Sequence, residues 1–303
     1  MKQAYLIYYP EEMAKNRGMI QLFQKWGIPN GIYFHPISLQ STFPDGSDVH
    51  LGVGAGLERL DIPDLVINRT RNPQISKWYQ RRGIPVFHPE DFVALANHKY
   101  NTLQYFERNL PEQVAGQRWC PGTIRILPDR AHTKGNKNFI GHGFVSEEEL
   151  WHSGVIKSVD GHGGSEVFLA EDSDRWKRTL AGRELILQER IDSDSKDIRI
   201  YVLGNEIYHA MLRMGTQDFR SNYSLGGSVR EWCLTAEERG FVSSFIEALP
   251  EEWQGMYGID FIVDREGRLI FNELEEMVGC RMLYQYTDRD IVRDYVSWMR
   301  GFL

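Results

Sequence analysis

Over the first ninety positions, short dense apolar runs alternate with longer amphipathic stretches. AYLIYY (4–9), GIYFHPI (31–37), DLVINRT (64–70) and IPVFHP (84–89) are rich in β-branched and aromatic residues and predict four strands. Between them, EEMAKNRGMIQLFQKWG (11–27), stopped by Gly27, and NPQISKWYQRRG (72–83) repeat their apolar residues at helical spacing. Strand–helix alternation of this kind implies a parallel sheet with covering helices. LGVGAGLERL (51–60) holds three glycines, but it follows no clear strand and its third glycine comes too soon for a dinucleotide fingerprint. It reads as a loop.

Further along the pattern changes. Residues 91–110 predict one helix capped by Asp91, and 111–145 are rich in Gly, Pro and His with short strands at TIRIL and KNFIGHGF. Strands return at 155–158 and 166–170, followed by a helix near 172–182 that ends at Gly182. The remainder reads mostly as antiparallel strands. A helix over 235–249 opens with Thr235 and has Glu238 three residues on, a capping box, and a last helix covers 288–300. The fold class is therefore α/β, α+β in part, with a parallel-sheet amino-terminal unit and antiparallel sheets after it.

The bulk numbers narrow the field. A chain of 303 residues with 42% hydrophobic and 25% charged positions is an ordinary globular composition, long enough for two or three units. No apolar run reaches 18 residues, which argues against a membrane span. Three cysteines without close spacing argue against a disulfide framework or zinc site and fit a reducing cytoplasm. A net charge of −7 argues against nucleic acid as a partner. The nine histidines show no metal-ligand spacing; His162, inside a glycine loop, is the one placed to touch a phosphate.

Two segments carry chemistry. YGIDFIVDREGRLIFNELEEMVG (257–279) reads as a β-hairpin that places Asp260 on one strand and Glu273 and Glu275 on the next, pointing the same way. Three carboxylates on one face repel unless solvated or paired, and a hard cation such as Mg²⁺ with a nucleotide's phosphates removes that cost. The alternative is a solvated acidic edge. In VIKSVDGHGGSEVFLA (155–170), a strand ends near Lys157, a loop carries Gly161, Gly163 and Gly164, and a strand returns. Such a hairpin can cover phosphates with backbone N–H groups, although it is not a Walker loop. Arg199 and Arg213 each sit between apolar neighbours on strands, where an arginine needs an anionic partner, either substrate or a local acid.

With these segments the chain resembles the ATP-grasp superfamily over nearly its full length. It is most similar to the branch holding the ribosomal-protein glutamate ligase, glutathione synthetase and D-alanine:D-alanine ligase. INRTR (67–71), NHKYNTLQYF (97–106), VIKSVDGHGG (155–164), LILQERID (185–192), KDIRIYVLG (196–204), MLRMGTQDFRSNYSLGG (211–227) and Asp260…Glu273-x-Glu275 follow the family's order. The resemblance implies an amino-terminal pre-ATP-grasp domain over 1–92, a lid subdomain over 93–183 and a carboxy-terminal subdomain over 184–303. It also implies site roles. Lys99 and Lys157 meet phosphates together with Gly161, Gly163 and Gly164. Gln188, Glu189, Arg190 and Ile191 form the adenine hinge, Asp197 takes the ribose, and Arg199 lines the nucleotide site. Arg213 and Asn222 stand at the transferred phosphoryl group, and Asp260, Glu273 and Glu275 hold two Mg²⁺ ions, with Mn²⁺ as the other candidate. Arg281, just past the metal strands, is the candidate clamp for a substrate carboxylate. Two departures stand out: Glu275 replaces the family's usual asparagine, and Val278-Gly279 replaces its Pro-Gly.

The activity this implies is ATP-dependent ligation of a carboxylate to an amine, or to a thiol, through an acyl-phosphate. Its substrates would be an amino acid, a peptide or a related carboxylate. A kinase acting on a hydroxyl and a non-catalytic nucleotide-binding protein are the alternatives. Relatives of this kind leave a homodimer open.

Overall fold

The computed structural model describes residues 1–42, 49–52, 62–128, 139–141, 146–164, 166–215 and 227–303. Three five-stranded sheets organise them. In the first, Lys2–Tyr8 lies between Ile32–Thr42 and Leu65–Asn68, both parallel to it, and Val86–Phe87 extends the parallel side. The strand Val49–Gly52 runs antiparallel along the other edge, where the sequence predicted a loop from residue 51; residues 53–61 lie outside the described part. Pro73 opens the helix Pro73–Gln80, and the preceding Asn72 side chain accepts from the N–H of Gln74 at 3.0 Å.

Two predicted helices are each broken in two. The 11–27 segment divides at Asn16 into Pro10–Lys15 and Arg17–Gly27, and the 91–110 segment divides at Asn97 and His98 into Glu90–Ala96 and Lys99–Asn109. The cause is the same in both. Asn16 and Asn97 turn their side-chain amides back onto the carbonyls of Glu12 and Val93, at 2.9 and 2.8 Å, at positions where the backbone leaves the helix. The second break fixes Lys99 at the start of a new helix, capped by His98.

The second sheet is antiparallel, with Leu185–Gln188 at its centre between Thr123–Ile126 and Val155–Ser158, and with Val167–Leu169 closing the glycine-loop hairpin. The third is antiparallel in the order Ser228–Glu231, Glu206–Met214, Lys196–Leu203, Met256–Val263, Leu269–Glu275. Its alternation decides the site. Ile198, Ile200, Val202, Ala210, Leu212, Tyr257, Ile259, Phe261 and Phe271 face a core shared with Phe106, Trp119 and Phe245. Each fully buried aromatic there contributes about 1.5–3 kcal/mol by leaving water. With that face committed, Asp197, Arg199, Arg213 and Asp260 must point the other way. The helix Ala236–Glu247 packs on the apolar face through Val242, Phe245 and Ile246, and its Thr235–Glu238 capping box is formed as the sequence predicted. The predicted last helix is Ile291–Met299, preceded by a separate short helix, Arg281–Tyr286.

Candidate functional site: a cleft between two antiparallel sheets

The polar face of the third sheet and the inner face of the second enclose a cavity of about 270 Å³. Its walls include Lys99, Lys157, Gly161, Gly163, Gly164, Gln188, Glu189, Arg190, Ile191, Asp197, Arg199, Arg213, Asp260, Glu273 and Glu275. His162 of the glycine loop lines it too, so sixteen of the residues singled out from the sequence share one space. Two others do not join it: Asn222 lies outside the described residues, and Arg281 is exposed on the first turn of its helix, away from the cavity. As a helix-start residue after Cys280, Arg281 leaves the strand direction that would have aimed it inward.

Cross-strand register builds a chain of charges over the floor. Arg213 donates to both oxygens of Asp197, through Nε to Oδ1 at 2.6 Å and Nη2 to Oδ2 at 2.5 Å, and also to Asp260 Oδ2 at 2.8 Å. Arg199 grips Asp260 from the other side, through Nε to Oδ1 at 2.8 Å and Nη2 to Oδ2 at 2.7 Å. The same Nη2 lies 2.5 Å from Glu275 Oε2, at an angle that leaves this buried oxygen without a hydrogen bond. Although burial alone would raise Asp260, the two arginines hold its carboxyl well below the usual carboxylate range. Burial, opposed by Arg199 and reinforced by Asp260 and Glu273, pushes the Glu275 carboxyl up to about 7.

The lysines meet the floor from above. Lys157 donates to Gln188 Oε1 at 2.7 Å and to Asn272 Oδ1 at 3.4 Å, while Lys99 pairs with Glu273 at 3.4 Å and donates to the carbonyl of Gly161. Burial first, then the charge of Lys99, lowers Lys157 to about 8. Asn272 was not singled out from the sequence. A β-bulge opposite Asp260 and Phe261 turns both Asn272 and Glu273 toward the cleft, which strict alternation could not anticipate. The loop above holds Gly163 and Gly164 at φ of 66° and 73°, a backbone that side-chain-bearing residues rarely adopt. Gly161 packs so closely on Ser158 Oγ and Glu166 Oε2 that a Cβ would collide with both.

Along residues 188–189 the side chains are committed within the protein, and the Glu189 N–H donates to the Gly122 carbonyl at 2.8 Å. Gln188 is fixed between Lys157 and Thr123, to whose hydroxyl its Nε2 donates at 3.0 Å. The Glu189 carboxylate accepts from Arg118 and from the Gly122 N–H, and Arg190 is exposed. Val155, Ile191, Ile262 and Leu274 supply apolar walls for a flat ring.

The predicted open trio of carboxylates is not what forms. Among the described residues, no three Asp, Glu, His or Cys side chains gather in a group able to hold a metal, because Asp260 is engaged by two arginines, Glu273 by Lys99 and Glu275 by Arg199. The donor chemistry nevertheless fits a hard cation. All three are oxygen ligands, and the Glu275 oxygen without a hydrogen bond marks a carboxylate that the arginine only partly satisfies. Glu273 and Glu275 are the residues that would hold the ion. Asp260 would do so by sharing oxygens with its arginines.

Comparisons with known proteins bear on the family and the fold. Residues 141–299 match the RimK-like ATP-grasp domain. A human N-acetylaspartylglutamate synthase A is 30% identical over 259 residues, covering 81% of this chain and 63% of that protein. A probable alpha-L-glutamate ligase of Histophilus somni is 29% identical over 187 residues, 58% of this chain and 60% of that protein. The fold superposes on D-alanine–D-alanine ligase from Bacillus anthracis complexed with ATP, with a TM-score of 0.65 at 12% identity, covering 100% of this chain and 96% of that one. Among the described residues, no helix is long and apolar enough to cross a membrane.

Proposed function

This chain belongs to the RimK-like ATP-grasp family of ligases, which bind ATP and Mg²⁺, and from that premise we propose that it joins a substrate carboxylate to an amine at the cost of ATP. The observation that carries the reading is the single cleft in which Lys99, Lys157, Arg199 and Arg213 face Asp260, Glu273 and Glu275 beside an apolar hinge slot. A carboxylate oxygen attacks the γ-phosphorus of ATP, the bond to the β-phosphate oxygen breaks, and ADP leaves. The amine then attacks the acyl carbon, phosphate departs and the amine's proton passes to solvent. Such transfer depends on positioning and charge neutralisation more than on covalent help.

Each residue has a share in this. The hinge backbone at 188–191 meets the adenine edge, with Ile191, Ile262 and Leu274 against the ring. Asp197 takes the ribose while fixing Arg213. Lys99 and Lys157 place fixed positive charge on the phosphates, and Arg213 stabilises the group in transfer. The Gly161–Gly164 loop closes over the phosphates and excludes water, which would hydrolyse an acyl-phosphate. Mg²⁺, held by Glu273 and Glu275 with Asp260, would neutralise phosphate charge. The named relatives, an alpha-L-glutamate ligase and an N-acetylaspartylglutamate synthase, support amino acids or peptide ends as the substrate class.

The test is ADP and phosphate release with Mg²⁺-ATP against a panel of carboxylates and amines, with Asp260→Asn plus Glu273→Gln as control. Release that needs both partners and vanishes in the control supports ligation. ADP formed with an alcohol alone, without free phosphate, makes the protein a kinase, and nucleotide binding without turnover on any pair makes it a non-catalytic binder.

A further inference from the structure

One end of the cleft holds two charges for which the nucleotide has no use. Arg71, on the loop after the strand Leu65–Asn68, lines the cavity with a backbone φ of 58°, and among the described residues its guanidinium has no hydrogen bond or ion pair. Glu276, just past the metal-strand carboxylates, is only 4% exposed. Among side chains, its hydrogen-bond partner is the neutral Asn97 at 2.7 Å, and no basic residue of the described part pairs with it. The two form no direct ion pair, yet across the same space Arg71's charge opposes the burial that raises the Glu276 carboxyl and adds to the burial that lowers the His162 imidazole of the glycine loop.

The loop is built to hold Arg71 where it is. Asn68 Oδ1 accepts from the N–H and hydroxyl of Thr70, at 3.0 and 2.6 Å, and Asn68 Nδ2 donates to the carbonyl of Asn72 and to Ser76 Oγ, each at 2.9 Å. The Asn72 N–H donates to Thr70 Oγ1 at 3.2 Å. Residues 70 and 72 are thus tied on either side of a residue in a conformation that costs free energy outside glycine. A strained cation and a buried carboxyl group, neither in an ion pair among the described residues, border one gap that Lys99 and Lys157 also line. A small zwitterion satisfies both at once, because a guanidinium matches a carboxylate in two-point geometry and a buried carboxylate needs a cation.

We propose that Arg71 and Glu276 form a subsite for an α-amino acid or the equivalent peptide end, the α-carboxylate on Arg71 and the α-ammonium on Glu276. This rests on the ligase reading and names its amine-bearing substrate. It is tested by calorimetric titration of the protein loaded with Mg²⁺ and a non-hydrolysable ATP analogue. The probes are the free L-amino acids one by one, then the α-amide and the N-acetyl form of each that binds. The free amino acid binds, and each capped form binds at least about ten-fold more weakly, the range for losing a charged hydrogen bond. Arg71→Ala weakens the amino acid by at least about as much, Arg71→Lys recovers part of it, and the affinity for the ATP analogue stays unchanged in both. Glu276→Gln behaves likewise; if it does not fold, the N-acetyl comparison on the unmodified protein probes the same contact. Equal affinity for free and capped forms, unchanged amino-acid affinity in Arg71→Ala, or analogue binding with no amino acid bound overturns the subsite and leaves the ligase reading standing. Failure of the unmodified protein to bind the analogue overturns the ligase reading itself.

Discussion

Arg199 stands where a metal-binding face would otherwise hold an ion, and replacing it should show how much the charge chain depends on it. Arg199→Met keeps most of the stem and removes the guanidinium. Asp260 then keeps only Arg213 Nη2 at 2.8 Å, and Glu275 loses the cation 2.5 Å from its Oε2. Removing one partner of a buried ion pair costs about 3–5 kcal/mol. The lower figure applies here because Arg213 remains and because Glu275, already at about 7, can take a proton near neutral pH. About 3 kcal/mol corresponds to a fall in melting temperature of roughly 5 °C or more. Mg²⁺ can bridge the two carboxylates that the guanidinium bridged, so it should raise the melting temperature of the variant more than that of the unmodified protein. The assay is calorimetric melting at pH 7 with and without Mg²⁺. A variant that melts within a degree of the unmodified protein, or an equal Mg²⁺ shift in both, would refute the idea that Arg199 is the counter-ion of this face.

Two further outcomes are expected. The folded value of Lys157, about 8, lies below its ordinary 10.5, so its charged form costs stability below pH 8 and that cost is relieved as pH rises from 8 to 10.5. ATP phosphates favour the charged form, so nucleotide binding near pH 8.5 should take up protons, read by calorimetry in buffers of different ionisation enthalpy, and Lys157→Met should abolish the uptake. Gly161→Ala forces a methyl onto Ser158 Oγ and Glu166 Oε2. It should cost about 1–3 kcal/mol of stability by overpacking and raise KM for ATP, measured by denaturant unfolding and initial rates.

Much of this molecule was legible in one dimension because its periodicities are local. The parallel amino-terminal sheet, the hairpin of Asp260 and Glu273, the glycine loop and the Thr235 cap follow from alternation, turn residues and caps that act over a few positions. Those same rules singled out Lys157, Arg199, Arg213 and the three acids, the family resemblance added Lys99, and all of them sit on segments that meet in one cleft. What they could not supply depends on partners far away in the chain. Whether Asp260 faces a metal or two arginines is set by register between strands whose contacting residues lie 47 and 61 positions apart, as its contacts with Arg213 and Arg199 show. The bulge that brings in Asn272 is a mismatch between two strands and has no signature within either alone. Arg71 and Glu276 are separated by most of the chain, and although each lies in a segment that the resemblance picked out, nothing in either segment marked them as a pair; only packing of the first sheet against the third makes them neighbours. Local sequence determined which charges this protein carries on its strands, and tertiary structure decided which of them neutralise one another and which are left for a substrate, because Coulomb energy depends on distance in space and not along the chain.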